Sequence, residues 1–241
     1  MNYITLKERH RAERDNYPQS TSLRLHRALS WLDRAEQCED DPDAQFIFLW
    51  IAFNAAYATT FDDEPNAVER RRFSAFIQQL VQLDEQRQVY AMLWTSYADS
   101  IRILLQNQYV FPDFWRYQSG GLSEPEWRER FTRARRDADE RLANSDTAGV
   151  LGIVLQRIYT LRNQLVHGGA TWNGGVNRPQ VRDCTRFMAK LVPVILNLMM
   201  DHPHAAWGSV AYPVVDGAAT ARKPARANSG KTGKLRELPR T

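Results

Sequence analysis

The chain has little cysteine and no long apolar run. Cys38 and Cys184 are its only cysteines; widely separated and without CxxC or Cys/His spacing, they suggest neither a disulfide framework nor a zinc site. Both read as reduced, packed side chains. No segment offers the roughly eighteen uncharged apolar residues that a membrane span requires, and the polar stretch Met1 to Gln19 does not resemble a signal peptide. No membrane partner is therefore expected, and the protein is placed in the cytoplasm. Strand signals are also scarce: none is convincing before the short stretch from Tyr212 to Val215. Nor does any period of about 20 to 50 residues repeat itself. What remains is an all-α chain, a helical bundle of about seven helices.

The material for a core is present. Hydrophobic residues make up 43% of the 241 and aromatics 11%, enough to bury one domain with decorations. The net charge of +4 is unevenly distributed. Residues 216–241 hold seven basic side chains against two acidic ones, a surplus of five, so the remainder carries one net negative charge. Three regions follow: a polar N-terminal segment (1–20), a helical domain (21–215) and a basic flexible tail (216–241). The tail is poor in large apolar residues, and reads as a solubilising extension ahead of a weak nucleic-acid contact.

Helix signals run along the domain. Thr21 or Ser22 is placed to cap a helix bearing Leu25, Leu29 and Leu32. Asp41-Pro42 is an N-cap followed by a first-turn proline. The helix it starts contains the stretch Phe46 to Tyr57, apolar on every side except at Asn54, which reads as a buried amide pinning the core ahead of one positioning a substrate. A third helix follows Glu64-Pro65. Asp84 is placed to cap a single fourth helix carrying Val89, Leu93, Tyr97, Ile101 and Leu104, and the aromatic run Tyr109 to Trp115 reads as a packed loop. Ser123 with Glu126 forms a capping box for a fifth helix whose arginines interleave with acids as on a solvated face. A seventh helix begins near Arg178-Pro179 and is expected to kink at Pro193. Asp201, His202 and His204 read as an exposed loop rather than a metal site, and neither metal nor cofactor is expected.

The sixth helix, starting at Asp146 or Thr147, concentrates the chemistry. It ends in Arg162-Asn163-Gln164-Leu165-Val166-His167-Gly168-Gly169. On a helical wheel Arg162 lies about 20° from Leu151, inside the apolar stripe, so its permanent charge needs a partner. Asn163 and His167 share a face, but Arg162 and His167 differ by about 140°. They converge only if the helix unwinds at His167, which Gly168 permits, or if two copies of the motif meet across a dimer axis. Histidine can exchange a proton with an attacking or leaving oxygen near neutral pH, and arginine can stabilise charge on phosphoryl oxygens. The competing structural reading is an arginine in a core ion pair and a histidine at a helix C-terminus.

Arg162-Asn163, three spacers and His167, with Phe48 to Ala55 and the stretch Leu161 to Asn173, resembles the Arg-polar-X3-His signature of the HEPN (higher eukaryotes and prokaryotes nucleotide-binding) superfamily. The resemblance implies an HEPN-like bundle over the helical domain and a homodimer with facing motifs. It also implies a metal-independent endoribonuclease acting on RNA, in which Arg162, Asn163 and His167 are catalytic. Asn54, Gly168, Gly169, Trp172 and Asn173 are candidate substrate-binding or positioning residues. A toxin or defence context and an antitoxin or regulatory partner go with it. Some members are inactive, so the alternative is a non-catalytic module binding RNA, a nucleotide or a partner protein.

Overall fold

In a computed structural model the chain is described for residues 1–58, 67–175, 177–210 and 212–214, with backbone alone for 67–70. It divides into Met1–Ala211 and Tyr212–Thr241. The tail assigned to 216–241 lies outside the described residues, as do Glu64-Pro65 and Val215. Tyr212 to Val214 form neither strand nor helix, and among the described residues there is no strand.

Among the described residues the first unit holds ten α-helices: α1 (Tyr3–Glu13), α2 (Gln19–Glu36), α3 (Pro42–Tyr57), α4 (Ala67–Leu83), α5 (Gln88–Ala91), α6 (Ala98–Gln106), α7 (Pro112–Gln118), α8 (Glu124–Ala143), α9 (Thr147–Val166) and α10 (Arg178–Asp201). The chain is all-helical as expected, but the count exceeds seven for three reasons. First, the polar segment 1–20 contains a helix: Asn2 and Thr5 form a capping box, Leu6 is buried, and Arg9 bonds Asn197 and Asp201 of α10 at 2.8 and 2.7 Å. Its docking is hard to read from local sequence, because a single buried leucine is joined by polar contacts to residues nearly two hundred positions away. Second, the expected fourth helix is interrupted by a π-helical segment, Met92–Ser96, between α5 and α6. Third, the aromatic run is wound rather than looped. Gln108–Val110 is a 3-10 turn and Pro112 opens α7, burying Phe111 and Phe114. Among the described residues no helix is long and apolar enough to cross a membrane.

Several starts match the sequence. Asp41 accepts from the Asp43 and Ala44 amides at 3.1 Å, opening α3 as an N-cap should. Ser123 and Glu126 form their capping box, and Asp146 accepts from Gly149 at 2.9 Å. Asp84 accepts from the Gln88 and Val89 amides and so serves the start of α5, although Arg87, not Asp84, occupies the cap position. By contrast, α2 starts at Gln19 after Pro18, and Thr21 is buried with its hydroxyl donating to the Pro203 carbonyl instead of capping. On α8, Arg128, Arg133 and Arg141 each meet an acid four residues before them, which spends their charge on the helix itself. Helix α10 continues past Pro193 to Asp201.

The core lies along α2, α3, α9 and α10, where Leu25, Leu29, Phe46, Phe53, Leu151, Leu155, Met188 and Leu191 are excluded from water. Two arginines are buried there. Arg24 on α2 is 0% exposed and donates to the Ala56 and Ala58 carbonyls at 2.9 Å and to that of Ser209. Arg157 on α9 lies 4.6 Å from the Phe111 ring centroid, and its Nε is buried without a partner. Burial pushes each guanidinium down to about 10, so both still carry their charge at neutral pH.

His10 of α1 is also buried, with Nε2 against the Ser22 hydroxyl at 3.3 Å and Nδ1 unpartnered. Burial, then the neighbouring Lys7 charge, lowers its pKa from the ordinary 6.5. The unfolded chain therefore binds the extra proton, so this stability is full above about 6.5 and is lost as pH falls through the lowered folded value. Urea midpoints should fall between pH 7 and 5, with a flatter slope in His10→Gln. An unchanged slope in that variant would remove His10 as the cause.

Candidate functional site

Helix α9 carries the Arg-Asn-X3-His motif on its last turn and a half, and its ending is set by the two glycines. Gly168 takes φ +70, a left-handed backbone that suits glycine. The Gly168 N–H then bonds the Leu165 carbonyl at 3.2 Å and that of Gly169 reaches Gln164 at 2.7 Å, the paired closure of a Schellman motif. A Cβ on Gly169 would stand 3.1 Å from that same Gln164 oxygen. His167 is thereby held as the C-cap, outside regular helix, with an exposed side chain.

Arg162 is half-buried, not sunk in the stripe, because the stripe opens onto a cavity at this level. Its Nη1 donates to Asn163 Oδ1 at 3.0 Å. The Asn163 amide oxygen thus serves its neighbour, while only the Asn163 backbone carbonyl meets the His167 N–H, at 3.0 Å. Among the described residues no hydrogen bond joins the His167 imidazole to Arg162 or to the Asn163 side chain.

The cavity, about 910 Å³, is bounded by α3, α4, α8 and α9, and Arg162 and Asn54 both line it. Asn54 is half-buried and lines this space, so it is not the enclosed core amide expected of a helix apolar all round. Aromatic rings form one side: Trp50 and Tyr159 have centroids 5.8 Å apart, and Tyr57 and Phe73 meet edge to face at 5.3 Å. The α8 side carries charge, where Arg141 pairs with Asp137 at 3.1 Å and Asp146 at 2.7 Å. His167, Gly168, Gly169, Trp172 and Asn173 are not on the wall.

The loop after the motif is tied to the other end of α3. Trp172, 74% exposed, donates through Nε1 to Asp41 at 2.9 Å, and this bond lowers the Asp41 pKa. Asp43 Oδ2 accepts from the Asn173 backbone N–H at 3.0 Å and pairs with Arg178 at 2.8 Å, both side chains being largely covered. Trp172 and Asn173 therefore anchor the loop that follows His167. Asp43→Ala would leave Arg178 without its carboxylate, and the loss is expected to be about 3 kcal/mol of unfolding free energy, as for a broken buried pair. Equilibrium urea unfolding measures it. A change below about 1 kcal/mol would class the bridge with exposed pairs.

Sequence reasoning missed Asp43, Tyr159, Gln156 and Gly152. A signal existed for the last three: Gly149, Gly152, Gln156 and Tyr159 recur at spacings of three and four beside Arg162, a stripe too small and polar to be core. Among the described residues no three His, Cys, Asp or Glu side chains are grouped to hold a metal ion. Comparison with protein-family models, curated proteins and solved structures found no match to this chain.

Proposed function

We propose that the protein is a homodimeric, metal-independent endoribonuclease of the HEPN type. The observation that carries this reading is the arrangement at the end of α9. Arg162 faces a cavity shared with Asn54 and is steadied by Asn163, while His167 stands exposed on the helix end five residues on. In the proposed reaction the substrate's own 2′-hydroxyl attacks the adjacent phosphorus. His167 exchanges the proton that leaves the attacking oxygen or joins the departing 5′-oxygen, and Arg162 stabilises the charge gathering on the phosphoryl oxygens. The products are a 2′,3′-cyclic phosphate and a 5′-hydroxyl, and DNA, lacking the 2′-hydroxyl, is spared. A cytoplasmic toxin or defence role, held in check by an antitoxin or regulatory protein, accords with such an activity.

The separation of the imidazole from Arg162 within one chain favours a second reading, a non-catalytic HEPN module that binds RNA, a nucleotide or a partner protein. Incubating structured and single-stranded RNA with the protein in EDTA, beside Arg162→Ala and His167→Ala, separates the two. Cleavage by the parent alone supports the nuclease. Equal cleavage by all three, or none by any, would sink it.

A further inference from the structure

We infer that the cavity between α3, α4, α8 and α9 receives a single unstacked base of an RNA strand, with the adjoining phosphate at Arg162. This inference rests on the proposed nuclease reading and goes beyond it by assigning a base-reading pocket away from His167.

The first support is the wall itself. Glycine is unfavourable inside a helix, yet Gly152 sits in the middle of α9, and a Cβ built there would meet nothing within 4 Å. The helix presents bare backbone to open space where a larger side chain would occupy it.

The second support is the chemistry around that space. Tyr159 is 48% exposed and lies against Trp50, offering a ring face to a planar partner. Asn54, Gln78 and Gln156 also line the cavity, and their amides can supply both the donors and acceptors that a base edge requires. A volume of about 910 Å³ has ample room for a nucleoside.

Charge decides which part of the strand enters. The two acids at this side of the cavity, Asp137 on α8 and Asp146 at the start of α9, are both held by Arg141. Arg162, spending one N–H on Asn163, keeps guanidinium donors for an anion. Among the described residues two carboxylates and two guanidinium groups of the lining balance, so these walls do not favour a polyanion running through the cavity. It suits a neutral ring whose phosphate stops at the Arg162 end. A base paired in a duplex cannot reach it without being extruded, so the preferred substrate is single-stranded or looped RNA.

The test uses a 2′-O-methyl RNA hexamer with a central 2-aminopurine, which 2′-hydroxyl attack cannot cleave, titrated with the full chain while its fluorescence is followed. Saturable binding is expected. Gly152→Phe, which projects a ring into the cavity, should weaken it at least about tenfold, and Tyr159→Ala, which removes a stacking face, should weaken it by about 5- to 100-fold. A circular dichroism melt accompanies each variant. If Gly152→Phe does not fold, the exposed position Tyr159 carries the comparison. Absence of binding by the parent chain, or wild-type affinity in a folded variant, overturns the inference. Binding that depends on Gly152 and Tyr159 without cleavage of the matching ribose hexamer upholds the pocket and removes the nuclease. Cleavage that both variants perform at the parent rate with parent affinity does the reverse.

Discussion

His167→Ala is expected to lower the rate of RNA cleavage by about 10²- to 10⁴-fold, the range for removing a positioned general acid or base. Arg162→Ala should lower it by about 10²- to 10³-fold, the range for one donor to a developing anion. Arg162→Lys is expected to recover little, because an ammonium lacks the planar fork that meets two phosphoryl oxygens at once. The geometry adds a sharper expectation. Within one chain the imidazole has no hydrogen bond to Arg162 or to the Asn163 side chain, so an active site assembled across a two-fold axis would draw residues from both subunits. Mixing the Arg162→Ala and His167→Ala proteins would then place one intact Arg162 and one intact His167 on the same side of some dimers, and part of the activity should return. Subunit exchange followed by a single-turnover assay reads this directly. Two inactive proteins that stay inactive after demonstrated exchange would show that each site is built within one chain. Full activity in either single variant would remove that residue from the chemistry.

Arg24→Leu is expected to be among the most destabilising single substitutions in the bundle. The guanidinium is wholly excluded from water and joins two stretches of backbone through three carbonyls: Ala56 and Ala58 at the end of α3, and Ser209 after α10. Leucine fills most of the volume but leaves these carbonyls without the donor. A buried unsatisfied polar group costs about 1–3 kcal/mol; Ala58 and Ser209 can regain water, so a total of about 3 kcal/mol is expected. At about 2–4 °C for each kcal/mol in a chain of this size, the melting temperature should fall by roughly 10 °C. Against a typical total of about 5–15 kcal/mol this is a large share. The segment after α10 should also become cleavable by protease, since Arg24 bonds the Ser209 carbonyl within it. A melting temperature within about 2 °C of the parent would mean that water replaces the guanidinium at all three carbonyls.

Local signals were legible because the groups that satisfy them lie within a few residues. Asp41-Pro42 opens α3, Ser123 and Glu126 box the start of α8, and Gly168-Gly169 close α9 by bonds to Leu165 and Gln164. Each is a matter of orphan backbone groups meeting the nearest partner. The same locality misled where tertiary contacts outweigh propensity. Val89, Leu93 and Tyr97 repeat like one helix, yet the backbone widens to a π turn from Met92 to Ser96, between two helices packed elsewhere. Thr21 looks like a cap and instead bonds Pro203, 182 residues away.

The sequence alone determined that the chain is helical, where α3, α8, α9 and α10 begin, and that α9 closes at Gly168-Gly169. Tertiary structure alone decided what surrounds the motif on that helix. It placed Asn54 on the same cavity as Arg162, and it made Trp172 and Asn173 anchors on Asp41 and Asp43. It also buried Arg24 and Arg157 in faces that a wheel would mark as mixed. The physical reason is the range of the interactions. Capping and periodicity act over one or two turns, whereas a cavity, a buried cation and a loop anchor need groups brought together from distant parts of the chain.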